Sequence, residues 1–210
     1  MKTAWIAELT LLAGMSIYAA DCGGQERPAV TVYSQGTHSV PALELQSAQS
    51  LATKMFDGIG VSLQWRNGTP RPPAEESECA RRAVVLQMRL NHDEAGHPRA
   101  MAYAMPYGTE TERVIHVLWD RVRETSSNEY SGRLLAHVMA HEITHILQGT
   151  SRHSASGVMK TTWTSHDYFQ MNKAPLSFAP EDIELIQLGF RRWTAQQRTS
   201  HGLSSATNPR

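Results

Sequence analysis

Two cysteines in 210 residues are too few for a disulfide scaffold. Without a Cys-x-x-Cys pair, and with neither cysteine near the histidines, they form no redox or zinc-thiolate motif. Charge of one sign is also missing. Twenty Lys and Arg balance twenty Asp and Glu, for a formal net charge of +0 and a pI near 7.2. There is no basic stripe and no interleaving of basic with aromatic residues, so no nucleic-acid partner is expected. Aromatic and apolar content is that of an ordinary globular chain. The apolar stretch over residues 5–20 is too short for a stable membrane span. No internal repeat is visible.

That stretch, with Lys2 ahead of it and Tyr18-Ala19-Ala20 before Asp21, reads as a secretory signal peptide over 1–20. It implies a secreted or periplasmic protein. Asp21 before Cys22 argues against lipid attachment there. Cys22 and Cys79 would both enter an oxidising compartment, where they are free to pair or not. The remainder is long enough for one domain with its own core, expected over 21–196 in a monomer, followed by a polar, flexible tail over 197–210.

What the chain does have is histidine, ten in all, and one arrangement of it. His141-Glu142-Ile143-Thr144-His145 follows a helical run, with Leu134, Val138, His141 and His145 on one stripe. Residues four apart share a helix face, so His141 and His145 can reach one metal ion while Glu142 stands beside it. The bare pattern would arise by chance in about three chains in a hundred of this histidine content, so its surroundings decide. Ser131 is an expected N-cap. Gly149 is placed to end the helix in a left-handed turn, and the reversal would bring His153 back as a third ligand. Three neutral imidazoles suit Zn2+ and leave a coordination position open.

These residues resemble the metzincin clan of zinc peptidases, whose motif is H-E-x-x-H-x-x-G-x-x-H followed by a methionine turn. Here the glycine comes one residue late and the third histidine two, and Gly157-Val158-Met159 stands where the turn would be. The spacing is closer to that of short secreted bacterial zincin-like proteins. Upstream, Arg99-Ala100-Met101-Ala102-Tyr103-Ala104-Met105-Pro106-Tyr107-Gly108 is similar to the Ala-x-Ala-x-x-Pro-x-Gly stretch that forms the edge strand over the substrate cleft in matrixins. The resemblance implies a zinc metallopeptidase. Its metal ligands would be His141, His145 and His153, with Met159 packed beneath them. A zinc-bound water would attack the peptide bond, with Glu142 as general base. A peptide or protein substrate would lie along an edge strand near 100–106. Glu181 and Glu184 are substitutes for the third ligand, with Asp167 and His166 behind them. His137, Trp163 and Tyr168 have bland readings as helix, core and surface residues beside their readings as site residues. The alternatives are a zinc-stabilised, non-catalytic binding protein that keeps the fold, and a hydrolase of some other amide. Glu142 separates the first from an enzyme, because a structural zinc site has no use for it.

The resemblance sets the expected fold as α+β and zincin-like: a twisted mixed sheet of about five strands, a backing helix, an active-site helix and a small helical C-terminal subdomain. Strands are expected over 30–34, 61–66, 82–90, 100–105 and 114–119. The backing helix is expected over 43–56, with Leu43, Ala48, Leu51, Ala52, Met55 and Phe56 inward. Residues 124–131 read as a polar loop. The chain after Met159 reads as irregular until a helix begins at Pro180 and runs through Trp193.

Overall fold

Val84, Leu86, Met88 and Leu90 are buried, while the residues between them are more open. That period of two makes Val84–Asn91 a strand with one face on the core. It belongs to a computed structural model that describes residues 27–70, 83–91, 100–106, 113–126 and 130–204, with side chains through 196. Its five strands are β1 (Ala29–Gln35), β2 (Ser62–Asn67), β3 (Val84–Asn91), β4 (Ala102–Ala104) and β5 (Val114–Leu118). They form one sheet in the order β2-β1-β3-β5-β4. Only β4 runs antiparallel to its neighbour. The expected mixed sheet is present, and β4 lies at its edge.

Parallel neighbours need a crossover. Between β1 and β2 it is α1 (Ala42–Asp57), whose Ala48, Ala52, Met55 and Phe56 are buried. Leu43, expected inward, is 80% exposed. It sits five residues before Ala48, roughly 140° around the helix, and Leu45 packs on the core instead. The chain then forms α2 (Trp119–Thr125), α3 (Ser131–Gln148), α4 (Ser165–Lys173) and α5 (Pro180–Ser204). Every residue of α3 except Arg133 is buried, so it is the internal helix of the molecule. It packs against α1, where Gly132 faces the Glu44 carbonyl; a Cβ there would stand 3.1 Å from that oxygen.

Several sequence expectations need correction. Ser131 is not the cap of α3. Tyr130 holds that position without a side-chain cap bond, and the Ser131 hydroxyl donates to Glu44 Oε2 at 2.7 Å, tying α3 to α1. Trp119 ends no strand. It opens α2, because burial of Trp119 and Val122 favours a helical turn there. The stretch expected to be irregular after Met159 contains α4. A reciprocal capping box starts it: the Thr164 side chain takes the Asp167 N–H, and Asp167 takes the Thr164 N–H. Helix α5 runs past Trp193 to Ser204. Both cysteines, residues 1–20 and residues 205–210 lie outside the described residues. Among the described residues no helix is long and apolar enough to cross a membrane.

Helix α5 lies against the C-terminal end of α3 with backbone close to backbone. A Cβ on Gly189 would stand 1.8 Å from the Leu147 carbonyl oxygen. Gly189→Ala is therefore expected to destabilise the fold by about 2–3 kcal/mol despite alanine's better helix propensity. Urea denaturation measures it, and a stability equal to wild type would mean that the two helices do not meet this closely.

Candidate metal centre

The last two turns of α3 carry His141 and His145 on one face, both buried. The helix stops at Gly149, with φ 65° and ψ 36°. Its N–H closes on the carbonyls of His145 and Ile146. This is the left-handed stop expected from the sequence, and it returns the chain toward the helix. His153 comes back with it. Its ring centroid is 5.2 Å from that of His141 and 4.9 Å from that of His145. One ring nitrogen from each of the three histidines lies within 4.8 Å of the other two, a cluster that can hold a metal ion.

Tautomers follow from the hydrogen bonds. His141 Nδ1 is 2.9 Å from the Val158 carbonyl oxygen, and His145 Nδ1 is 3.0 Å from that of Thr150. A carbonyl only accepts, so each Nδ1 carries its proton and each Nε2 presents a lone pair. Burial holds both rings neutral. It lowers His141 to about 4, helped by charge on His145 and His153 and opposed by the Val158 bond and Asp182. His145 is lowered for the same leading reason. The two Nε2 atoms are 3.0 Å apart. Two lone pairs facing each other at that distance repel unless a cation lies between them. Two nitrogens on a tetrahedral zinc stand about 3.3 Å apart, so the donor set fits such an ion.

Glu142 is buried beside these rings, and among the described residues nothing hydrogen-bonds its carboxylate. Burial pushes its carboxyl up to about 8. A cation beside it would pull that value down. The rings and Glu142 open onto a cleft of about 490 Å³. Its other walls are residues 100–104, which include β4, together with Val138, Trp163 and Tyr168.

Met159 is fully buried in a turn whose shape depends on Gly157. That glycine has φ 74°, and a Cβ on it would stand 2.2 Å from the Ser177 carbonyl oxygen. The Val158 N–H donates to Ser177 O at 2.9 Å, so the turn is fixed where Val158 O receives His141. The Ser154 N–H donates to Met159 O at 2.8 Å, which joins this turn to the loop carrying His153.

The substitutes for a third ligand are engaged elsewhere or stand apart. Glu181 pairs with Arg152 at 3.6 Å, His166 bonds Gln170 at 3.0 Å, and Asp167 caps α4. Glu184 is exposed and outside the cluster. His137 is neither exposed nor turned to the cleft. Fully buried, it donates from Nδ1 to Arg133 O at 2.7 Å and accepts the Leu176 N–H at Nε2, 3.0 Å away. It is a satisfied core histidine that pins the segment between α4 and α5. Trp163 is both core and wall, buried yet lining the cleft and meeting His141 edge-on at 5.8 Å. Half-buried Tyr168 also lines the cleft. Burial, then the charge of Asp167, raises its hydroxyl pKa.

The sequence reading missed one group altogether. Asp182 is fully buried. Its Oδ1 accepts from Ser154 Oγ at 2.6 Å, Arg152 Nη1 at 3.1 Å and Gln148 Nε2 at 3.2 Å. A polar residue in the first turn of an amphipathic helix reads as solvated. Only Ile183 and Ile186, one and four residues on, signal that this turn faces inward.

No protein-family model and no curated protein matches the chain. Among solved structures it is similar to metalloproteinase-II from Bacteroides fragilis, with a TM-score of 0.48 and 11% identity over 80% of this chain and 55% of that one. It is also similar to a chain in a chaperone–substrate complex, with a TM-score of 0.41 and 12% identity over 79% of this chain and 34% of that one. The chain thus spans about half, or less, of the length of these two.

Burial opposes ionisation of Asp167 at the start of α4, but the Lys160 ammonium and the N–H and hydroxyl of Thr164 outweigh it and hold the carboxyl at about 2. The ordinary aspartate value is near 4. A folded value below the unfolded one favours the native state wherever the group is charged. The stabilisation is therefore full above about pH 4 and lost as pH falls from about 4 to about 2. Asp167→Asn should lower stability at neutral pH, and the gap to wild type should narrow as pH falls from about 4 to about 2. Denaturation curves across pH measure it; a gap that stays constant would refute the linkage.

Proposed function

We propose that this protein is a secreted or periplasmic zinc metallopeptidase that hydrolyses peptide bonds in the cleft between α3 and β4. The observation that carries this reading is the pair of opposed Nε2 lone pairs on His141 and His145, joined by His153, with an unbonded buried carboxylate at Glu142. His141, His145 and His153 would hold the ion, and Met159 would support the turn behind His141. A divalent zinc ion bound there supplies Lewis acidity, polarising a carbonyl and making a water acidic near neutral pH.

The rest falls to the chain. Glu142 takes a proton from the attacking water as its oxygen bonds to the carbonyl carbon. It then hands that proton to the leaving nitrogen as the C–N bond breaks. Its place beside the three imidazoles, with no hydrogen bond engaging the carboxylate among the described residues, leaves it free to accept and return that proton. Among the described residues no strand pairs with the outer edge of β4, and an extended peptide would pair with it through main-chain hydrogen bonds and lie across the cleft. A zinc-stabilised binding protein would need the three histidines but no unpartnered carboxylate among them.

Glu142→Gln is expected to retain zinc at wild-type stoichiometry while peptide hydrolysis falls by about 10²–10⁴-fold. Metal analysis and a peptide-library digest on the same preparation read both, and undiminished turnover would end the mechanism. His153→Ala should lower bound zinc sharply, and chelation should abolish activity in the wild-type enzyme. Activity that survives chelator would exclude metal-dependent hydrolysis.

A further inference from the structure

The three histidines are not held alike. His141 and His145 each spend Nδ1–H on a main-chain carbonyl, which fixes the ring plane. Among the described residues no hydrogen bond reaches either ring nitrogen of His153, and this side chain is the exposed one. Its aim is set by the backbone of the loop that carries it. That loop is gripped on both sides of His153. The side chains of Arg152 and Ser154 converge on Asp182 Oδ1, at 3.1 and 2.6 Å. Gln148, the last residue of α3, donates to the same oxygen. Asp182 is fully buried, and its Oδ2 has no partner. A buried carboxylate with one oxygen unsatisfied is costly in itself. The cost is offset by what Oδ1 joins: the helix bearing two histidines, the loop bearing the third, and α5.

We propose that Asp182 is the positioning residue for the third metal ligand: through Ser154 and Arg152 it holds His153 in register with His141 and His145. This rests on the metal-site reading above and extends it from the ligands to the group that assembles them. Asp182 touches neither ion nor substrate. Besides the field its charge exerts on the neighbouring imidazoles, it acts on metal affinity through His153.

Zinc affinity of the full-length protein, measured by competition with a chromophoric chelator, tests this. The variants are Asp182→Asn, His153→Ala and the two combined. Asp182→Asn should weaken zinc binding by about 10–100-fold, the range seen when groups that orient metal ligands are removed. In the His153→Ala background the same change should weaken binding far less, by the loss of its charge alone, because the ligand it positions is gone. A general loss of structure would weaken both backgrounds equally, and that result would overturn the proposal. So would unchanged affinity in Asp182→Asn. If Asp182→Asn does not fold, Ser154→Ala removes one of the two grips. It should weaken zinc binding several-fold with His153 present and not in its absence; equal affinity with and without the Ser154 hydroxyl would overturn the proposal. Failure of the wild-type protein to bind zinc, or binding indifferent to His141→Ala, would instead sink the peptidase reading itself.

Discussion

Two imidazole lone pairs held face to face are the constraint to which the rest of the molecule answers. The His141 and His145 rings are turned by their Nδ1 protons toward Val158 O and Thr150 O, which leaves the two Nε2 atoms 3.0 Å apart. Each carbonyl belongs to a segment whose shape is fixed for its own reasons. Thr150 follows the left-handed stop at Gly149, and Val158 lies in a turn that only a glycine at 157 permits. Main-chain geometry well outside the helix therefore sets the ring planes within it. A loop that shifted by an ångström would release an imidazole to rotate, and the arrangement would relax.

The rigidity this requires comes from α3 being buried on almost every side. Sheet and α1 cover one flank, and α5 closes another. At Gly189 the absence of a side chain lets backbones approach more closely than any larger residue allows, and at Gly132 a Cβ would make a tight contact. Polar groups inside this packing are largely paired. His137 satisfies both ring nitrogens on main chain, and Ser131 reaches Glu44. Paired polar groups of this kind tie elements to one register, whereas apolar packing alone tolerates sliding. The Glu142 carboxylate and Asp182 Oδ2 are among the exceptions, and under the peptidase proposal the first stands where an unpaired carboxylate would have a chemical use.

The sequence disclosed the parts of the site whose logic is local. Helix spacing of four places His141 with His145, a glycine after the last apolar stripe marks the turn, and one short loop returns His153. Short β-type apolar runs likewise marked the strands, and the three-residue strand at the sheet's edge lies where the 100–106 stretch is expected to run. Tertiary context decided what remained hidden. Helix α2 forms because Trp119 and Val122 find a core to enter, and nothing local separates that from the end of a strand. Helix α4 announced itself only through the Thr164–Asp167 box, inside a stretch of weak periodicity. Ser131 looked like a cap but serves a neighbouring helix. The Asp182 cluster joins residues 148, 152, 154 and 182, none of which is unusual alone.

Strand β4 is short: three residues, paired antiparallel to β5. Leu118 N–H reaches Met101 O, so the ladder alternation places Met101 and Tyr103 on the paired side and turns the main-chain groups of Ala102 and Ala104 outward. An incoming chain thus finds two residues' worth of donors and acceptors on β4. At about 1 kcal/mol net for each bond, that supports an encounter of only millimolar strength before the entropic cost of docking. Backbone pairing on so brief a rail orients a guest without discriminating among guests. Under the peptidase proposal, selectivity would then belong to side-chain fit in the adjoining hollow, where two alanines on the rail leave space and the indole and phenol opposite set its limits.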